Sequence, residues 1–291
     1  MPVAYNIYPS FAVDDETLLE TDLTACNLLV MVGNGTFSYV VFDAVAKKFL
    51  ALKSYQYTPS KLALADLEMI EQVFDTDKLL LTAFKSVLLA FKTGNSVLVP
   101  SAYYLPSLKK DYLHFSFPER IQEAILVDQE EQLPMVNIYS VDKDLLGFLR
   151  KEFSTDLILH ANTALLQSYP MDLDFNHSAG IAFVEIEEQR FTITVYRNGQ
   201  LQIQKEAAFV EGLDVVYTVV NLLRQLGLDE QKVKVKLGGA VATDTSVYQE
   251  MYKFIPQLEW IQRVPGLSYI TKMQEIPGYY FHNLYALALC V

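Results

Sequence analysis

The sequence predicts a mixed α/β protein in which one βββαβα unit occurs twice. Three observations predict it: two three-strand meanders of the same internal order, an amphipathic helix after each, and renewed strand and helix alternation after each helix. The first meander runs from Leu28 to Tyr57 as LLVMV, GNG, TFSYVVFD, a short turn and KFLALKSYQY. The second runs from Gly180 to Phe209 as GIAFVEI, EEQ, RFTITVYR, the turn NG and QLQIQKEAAF. β-Branched and aromatic residues at period two mark the strands, and Asn198-Gly199 is the pair that favours a type I′ hairpin. An offset of 154 sets Phe37 on Phe191, Val41 on Val195 and Leu29 on Phe183.

The helix after the first meander reads KLALADLEMIEQVF, capped by Thr58 or Ser60, with Leu62, Leu64, Leu67, Ile70 and Phe74 near one face. The helix after the second, Gly212 to Leu226, turns Val215, Val216, Val219, Leu222 and Leu223 inward. SVLLAF, SVLVP, a loop with Tyr103, Tyr104 and Pro106, and AILVDQ follow the first helix. MVNIYSV, the helix DKDLLGFLRKEF and DLILH then read as a βαβ unit. The second helix is followed by KVKVKLGGA, a helix near Thr245 to Phe254, and LEWIQRV. The polar stretch Tyr169 to Ser178 is the expected boundary, giving a first domain of residues 1–172 and a second of 173–272.

The 291 residues carry 23 Lys+Arg against 35 Asp+Glu, a formal charge of −12. No basic residue precedes Lys47, so residues 1–46 hold −6 of it through Asp14, Asp15, Glu16, Glu20, Asp22 and Asp43. This disfavours nucleic-acid and anionic-membrane partners, which need a basic surface, and a secretory signal, whose first region is positive. Leu23 to Phe42 lacks charge but is broken by polar residues and glycines, so no direct membrane insertion is expected. Cys26 and Cys290 are too few for a disulfide framework or zinc site and read as thiols in a reducing cytoplasm.

The duplicated βββαβα design resembles the superfamily of actin, sugar kinases and the DnaK chaperone, with a ribonuclease H-like fold. VNIYSVDKDLLGFLRKEFSTDLILHANTALLQSY, running into GIAFVEIEEQRFTITVYRNGQ, looks most like its FtsA and PilM branch. VLVPSAYYLPSLKKDYLHFSF resembles a narrower bacterial family of unknown function with an actin-like ATPase fold. The resemblance implies an interdomain cleft that holds ATP between two phosphate-gripping hairpins, with a glycine pair beside adenosine. It also implies that residues 273–291, ending in NLYALALCV, return to dock on the first domain.

The positions matching those motifs are Gly33, Asn34, Gly35 and Thr36 in the first hairpin and Gly238 and Gly239 at the adenosine pair. Gly33 stands where the superfamily places an Asp for magnesium-bound water, and the second hairpin, Glu185 to Arg190, has no glycine. Phosphate loops aim backbone N–H groups at anionic oxygens, and glycines allow the approach. Carboxylates beside a triphosphate repel it by about 4 kcal/mol per pair at ~4 Å and an effective dielectric of ~20. The acidic, lysine-free first 46 residues, which include the GNGT turn, point the same way. ATP remains a candidate ligand, but no cofactor and no catalytic residue is assigned.

Each site candidate has a structural alternative: Gly33 to Gly35 as a plain β-turn, Gly238-Gly239 as a packed strand-to-helix turn, and Glu185, Glu187 and Glu188 as a solvated hairpin tip. His114, His160, His177 and His282 lack metal-ligand spacing, and the basic pair Lys109-Lys110, flanked by Asp111, is too little for nucleic acid. Tyr103-Tyr104, Tyr279-Tyr280-Phe281, Tyr285 and Trp260 are read first as core, with a partner surface as the alternative. The functional expectation is a cytoplasmic, actin-like scaffold or adaptor binding a protein or peptide. The other reading is a divergent ATPase or small-molecule kinase that keeps Gly35, Thr36, Gly238 and Gly239.

Overall fold

A computed structural model describes residues 7–16, 18–58, 63–130, 133–174 and 177–291. Ser60 and Leu62, expected as cap and helix face, lie outside these residues, as do Phe175 and Asn176 of the polar stretch and the side chain of Leu64. The chain forms two compact units: residues 1–167 with 266–275 and 284–291, and residues 168–265 with 276–283.

In the first unit, β1 (Phe11–Asp14) precedes the meander β2 (Asn27–Gly33), β3 (Thr36–Asp43) and β4 (Lys48–Gln56), then α1 (Ala63–Thr76) and β5 (Ser86–Phe91). Next come β6 (Ser96–Pro100), α2 (Lys109–His114), β7 (Glu123–Gln129), β8 (Met135–Asp142), α3 (Lys143–Phe153), β9 (Ile158–His160) and α4 (Ala161–Ser168). The second unit carries β10 (Ile181–Ile186), β11 (Arg190–Arg197), β12 (Gln200–Ala208), α5 (Gly212–Gln225), β13 (Lys234–Gly239), α6 (Ser246–Phe254) and β14 (Leu258–Trp260). The chain then forms β15 (Ser268–Tyr269), α7 (Thr271–Gln274) and α8 (His282–Ala286).

The two main sheets repeat one topology. The first is ordered β1-β4-β3-β2-β5-β9 with β15 also on β4, and the second β12-β11-β10-β13-β14. In each, an antiparallel meander continues through its first strand into two parallel strands. The 154-residue offset preserves individual pairings: Leu28 faces Val41 as Ala182 faces Val195, and Val32 faces Phe37 as Ile186 faces Phe191. Even the register shift recurs, between Val41 and Phe42 in β3 and between Val195 and Tyr196 in β11. Asn198 (φ 52) and Gly199 (φ 74) both take left-handed backbone, the requirement of a type I′ turn.

The sequence-predicted βαβ unit around α3 is corrected. β8 belongs to a separate three-stranded antiparallel sheet, β6-β8-β7, whereas β9 joins β5 in the main sheet. Asp142 ends β8 and caps α3, accepting from the N–H groups of Asp144 and Leu145. The helix then buries Leu146, Leu149 and Phe153 against the core of the first unit. The predicted inward residues of α5 are all buried in the second core. Residues 284–291 pack within the first unit, where Tyr285 meets Phe49 and Tyr269 at ring separations of 4.9 and 5.0 Å.

A buried carboxylate locks the first meander to the short turn after α1. Asp77 accepts from Tyr39 Oη at 2.5 Å, Tyr55 Oη at 2.6 Å, Lys53 Nζ at 2.8 Å and the Leu79 N–H at 3.2 Å. Burial alone would raise its pKa, but the bonds from Lys53, Tyr39 and Tyr55 outweigh burial and hold it below the ordinary value. Asp77→Ala strands two buried hydroxyls and an ammonium and is expected to cost about 3–5 kcal/mol in urea unfolding. A loss below about 1 kcal/mol would contradict this role.

Candidate functional site

The Gly33–Thr36 turn sits where β2 ends, beside the end of its parallel neighbour β5. Open α/β sheets bind ligands at such carboxyl ends. Gly33 pairs with Thr36, leaving Asn34 and Gly35 as the two loop residues. Gly35 takes φ +76, a conformation that glycine adopts without strain, and its carbonyl accepts from the Tyr57 N–H at 2.9 Å. A Cβ on Gly33 would lie 2.5 Å from Thr36 Oγ1, so the acidic residue of the superfamily pattern requires that side chain to move.

The acidic amino-terminal stretch does not surround this turn, which corrects the inference from charge. Asp14 pairs with Ala51, Asp15 meets Lys48 at 3.4 Å, Asp43 pairs with Lys48, and Asp22 caps the short turn before β2. All four lie toward the opposite end of the sheet, roughly 17 Å or more along the strands at ~3.3 Å per residue. The side chain beside the turn is basic. Lys92 donates its backbone N–H to Val32 O at 2.8 Å and its ammonium to Asn162 Oδ1 at 2.8 Å.

Lys92 opens a row of buried polar groups at the ends of β5 and β9. His160 Nδ1 accepts from the Asn162 N–H at 3.1 Å, leaving Nε2 to face Thr93 O at 3.0 Å. Burial, then the nearby Lys92 charge, pushes the imidazole down to about 3, so it is neutral. Asp128 accepts from the His160 N–H at 2.7 Å and Thr163 Oγ1 at 2.6 Å, and burial pushes it up to about 6. Asn137 Nδ2 donates to Thr163 Oγ1 at 3.1 Å. Sequence reasoning missed this row. Its only signals were a lysine closing the apolar run SVLLAF and the polar HANT after DLIL.

The second hairpin reverses at the matching position, but its ladder stops one pair earlier, at Ile186 and Phe191. Glu187 N–H donates to Arg190 O at 2.8 Å, and the Gln189 carbonyl accepts from the Phe209 N–H at 3.0 Å, as Gly35 does from Tyr57. Its two loop residues are the exposed Glu188 and Gln189, neither with positive φ. Glu185 is corrected: it is not at a solvated tip but 1% exposed within β10, opposite Gly238. Arg190 pairs with Glu206 across the hairpin.

Packing accounts for both glycines of the β13 end. A Cβ on Gly238 would lie 2.8 Å from Ile261 Cδ1 and 3.2 Å from Glu185 Oε2, and one on Gly239 would overlap Ile186 O at 2.1 Å. Gly239 adopts φ +86, its N–H donates to Tyr279 O at 2.8 Å, and the Ala240 N–H donates to Ile186 O at 2.8 Å. Tyr279 stacks on Trp260 at 3.9 Å, and Trp260 on Tyr248 at 4.9 Å, so these aromatics form part of the fold. Tyr285 and Phe281 are buried, whereas Tyr103 is 76% exposed.

The remaining candidates are structural in their contacts. His114 meets Glu123 at 3.0 Å, His177 Nε2 faces Lys232 O at 2.9 Å, and His282 Nε2 meets Ser168 Oγ at 3.1 Å. No group of three or more His, Cys, Asp or Glu among the described residues could hold a metal ion. Cys290 Sγ contacts Gln167 Oε1 at 3.6 Å, and burial pushes its thiol up to about 12. No helix among the described residues is long and apolar enough to cross a membrane.

Residues 15–258 match the family described as a protein of unknown function, DUF3822. The chain belongs to this family. None of the curated proteins matches it. A Bacteroides thetaiotaomicron protein with an actin-like ATPase fold and unknown function is similar in structure at TM-score 0.77 and 15% identity, over 93% of this chain and 99% of that one. The PilM–PilN type IV pilus biogenesis complex contains a chain similar at TM-score 0.57 and 13% identity, over 91% and 98%. The DUF3822 chain therefore has the actin-like ATPase fold, a statement about architecture and not about activity.

Two buried histidines and one buried carboxyl set the acid limb of its stability. His160 and His282 are pushed from 6.5 down to about 3 and about 4 by burial, so below 6.5 the unfolded chain binds protons that the folded chain refuses. Asp128, raised from 3.8 to about 6, opposes them because the folded chain holds its proton longer. Two groups against one leave a net rise in unfolding free energy of about 1.4 kcal/mol per pH unit between about pH 4.5 and 6. Urea titrations across that window check it, and Asp128→Asn should steepen the rise. A flat or falling profile in the parent chain would contradict the assignment.

Proposed function

We propose that this chain is a cytoplasmic, actin-like scaffold or adaptor that binds another protein or a peptide and does not turn over ATP. The observation carrying this reading is the second hairpin. It reverses at the position that matches the glycine turn, held by the Glu187 N–H bond to Arg190 O, while placing Glu188 and Gln189 at its tip, between Glu187 and Arg190. A phosphate-gripping hairpin needs open backbone N–H groups, and carboxylate side chains oppose the charge it would hold.

The residues at the two hairpins and at the β13 end speak against a magnesium-bound triphosphate. In the first hairpin Thr36 Oγ1 crowds the place of an acidic side chain at Gly33. In the second unit, Gly238 and Gly239 are required by contacts with Ile261 and Ile186 before any ligand is considered. The competing reading, a divergent ATPase or small-molecule kinase, draws on Gly35, Thr36 and the adjacent Lys92.

The partner half of the proposal draws on the structural likeness to a chain of the PilM–PilN complex, where one protein of this fold is assembled with another. The cytoplasmic placement draws on two free cysteines, which suit a reducing compartment. Purification of the tagged chain from its source cells should recover a stoichiometric partner that in turn recovers this chain. Phosphate release from millimolar Mg-ATP should stay at the rate without protein. Turnover lost in Lys92→Gln, or no reciprocal partner, would overturn the reading.

A further inference from the structure

Lys109 and Lys110, too short a run to suggest nucleic acid by sequence, become part of a larger basic groove in the folded chain. The groove, about 510 Å³, is lined by Lys109 and Lys110 of α2, Arg120 from the following loop and Lys143 at the start of α3. Two bonds gather these segments: the Lys143 N–H donates to Gln122 O at 3.1 Å, and Lys109 Nζ reaches Ile125 O at 3.4 Å. Leu113 is fully buried and anchors α2 to the three-stranded sheet.

Charge makes this groove unlike the rest of the chain. Four of the 23 basic residues of a −12 protein line it, against Glu119 and Glu123. Glu123 points toward His114 Nε2, 3.0 Å away. Among the described residues, Lys110, Arg120 and Lys143 are exposed and enter no ion pair. Cations left on a concave surface of an acidic protein steer an anionic partner.

The groove also presents apolar surface. Ile121 is 94% exposed at its edge, Ala124 and Ile125 line it, and Phe115, directly after α2, is 92% exposed. Its volume falls in the range of side-chain-sized ligand sites. A concave basic pocket with apolar edges and two glutamates suits a peptide carrying alternate acidic and apolar side chains better than a flat anionic bilayer.

We propose that this groove docks an acidic peptide segment of the partner protein, an inference that rests on the adaptor reading. Fluorescence anisotropy on the full chain reads it with two labelled short peptides, one alternating Glu with Leu and the other Lys with Leu. The acidic peptide should bind about tenfold tighter or better, and weaken as salt rises. The variant Lys110→Glu/Arg120→Glu/Lys143→Glu should lose about tenfold or more in affinity for it with unchanged circular dichroism, and the neutral Lys110→Gln/Arg120→Gln variant an intermediate amount.

Equal binding of both peptides, or undiminished binding by the triple variant, overturns the proposal. So does capture of phosphatidylserine vesicles without the acidic peptide, or a dimer in sedimentation that the triple variant abolishes. Purification of that variant from cells separates the two readings: a partner it retains removes the groove and leaves the adaptor, whereas no partner for the parent chain removes both.

Discussion

The tight reversal between the first and second strands of each meander is the constraint on which the rest depends. With Asn34-Gly35 between one set of strands and residues 187–190, closed by the Glu187 N–H bond to Arg190 O, between the other, the register of β2 on β3 and of β10 on β11 is fixed. A slip of one residue would send Phe37 or Phe191 to the opposite face, where the buried hydroxyl residues Ser38 and Thr192 now sit, and leave no room for either ring. Once that register is set, the inner strand offers its other edge to a parallel strand. The ends of β5 and β13 then arrive beside the two turns.

That common geometry makes the chemical difference between the turns informative. The reversal recurs at the same place in the internal repeat, so the fold needs it but does not need glycine in both copies. Gly35 keeps a left-handed backbone and Gly33 beside it lies near Lys92, while the second turn places a carboxylate and an amide at its tip. The glycines of the β13 end answer to the Ile186 carbonyl and the Ile261 side chain. These two glycines thus have packing reasons of their own, and the actin-like framework by itself carries no catalytic implication.

Much of the fold was legible because it is written locally. Period-two alternation, the Asn198-Gly199 turn and the amphipathic pattern of α5 each act within a few residues, and the 154-residue offset made the duplication visible. What was not legible depends on distant pairing. The two-residue strand β15 joins β4 across more than 200 residues, and β8 and β9 read as one unit until their different sheets part them. Glu185 looked like a loop residue because its neighbours Glu187 and Glu188 are, yet the strand continues through it. The acidic run before Lys47 suggested a charged turn, but strand direction carries those carboxylates to the far end of the sheet. Lys143 is 33 residues from Lys110 in sequence, and only the folded insert brings both to one groove.

The central claim is that an intact actin-like scaffold has lost the hairpin chemistry that grips a triphosphate. Thermal or urea unfolding of the full chain with and without millimolar Mg-ATP tests it most directly. A ligand at about 100 times its dissociation constant adds about 2.7 kcal/mol to the unfolding free energy. The account predicts no shift in the midpoint, and a saturable shift of that size that disappears in Gly35→Ala would contradict it.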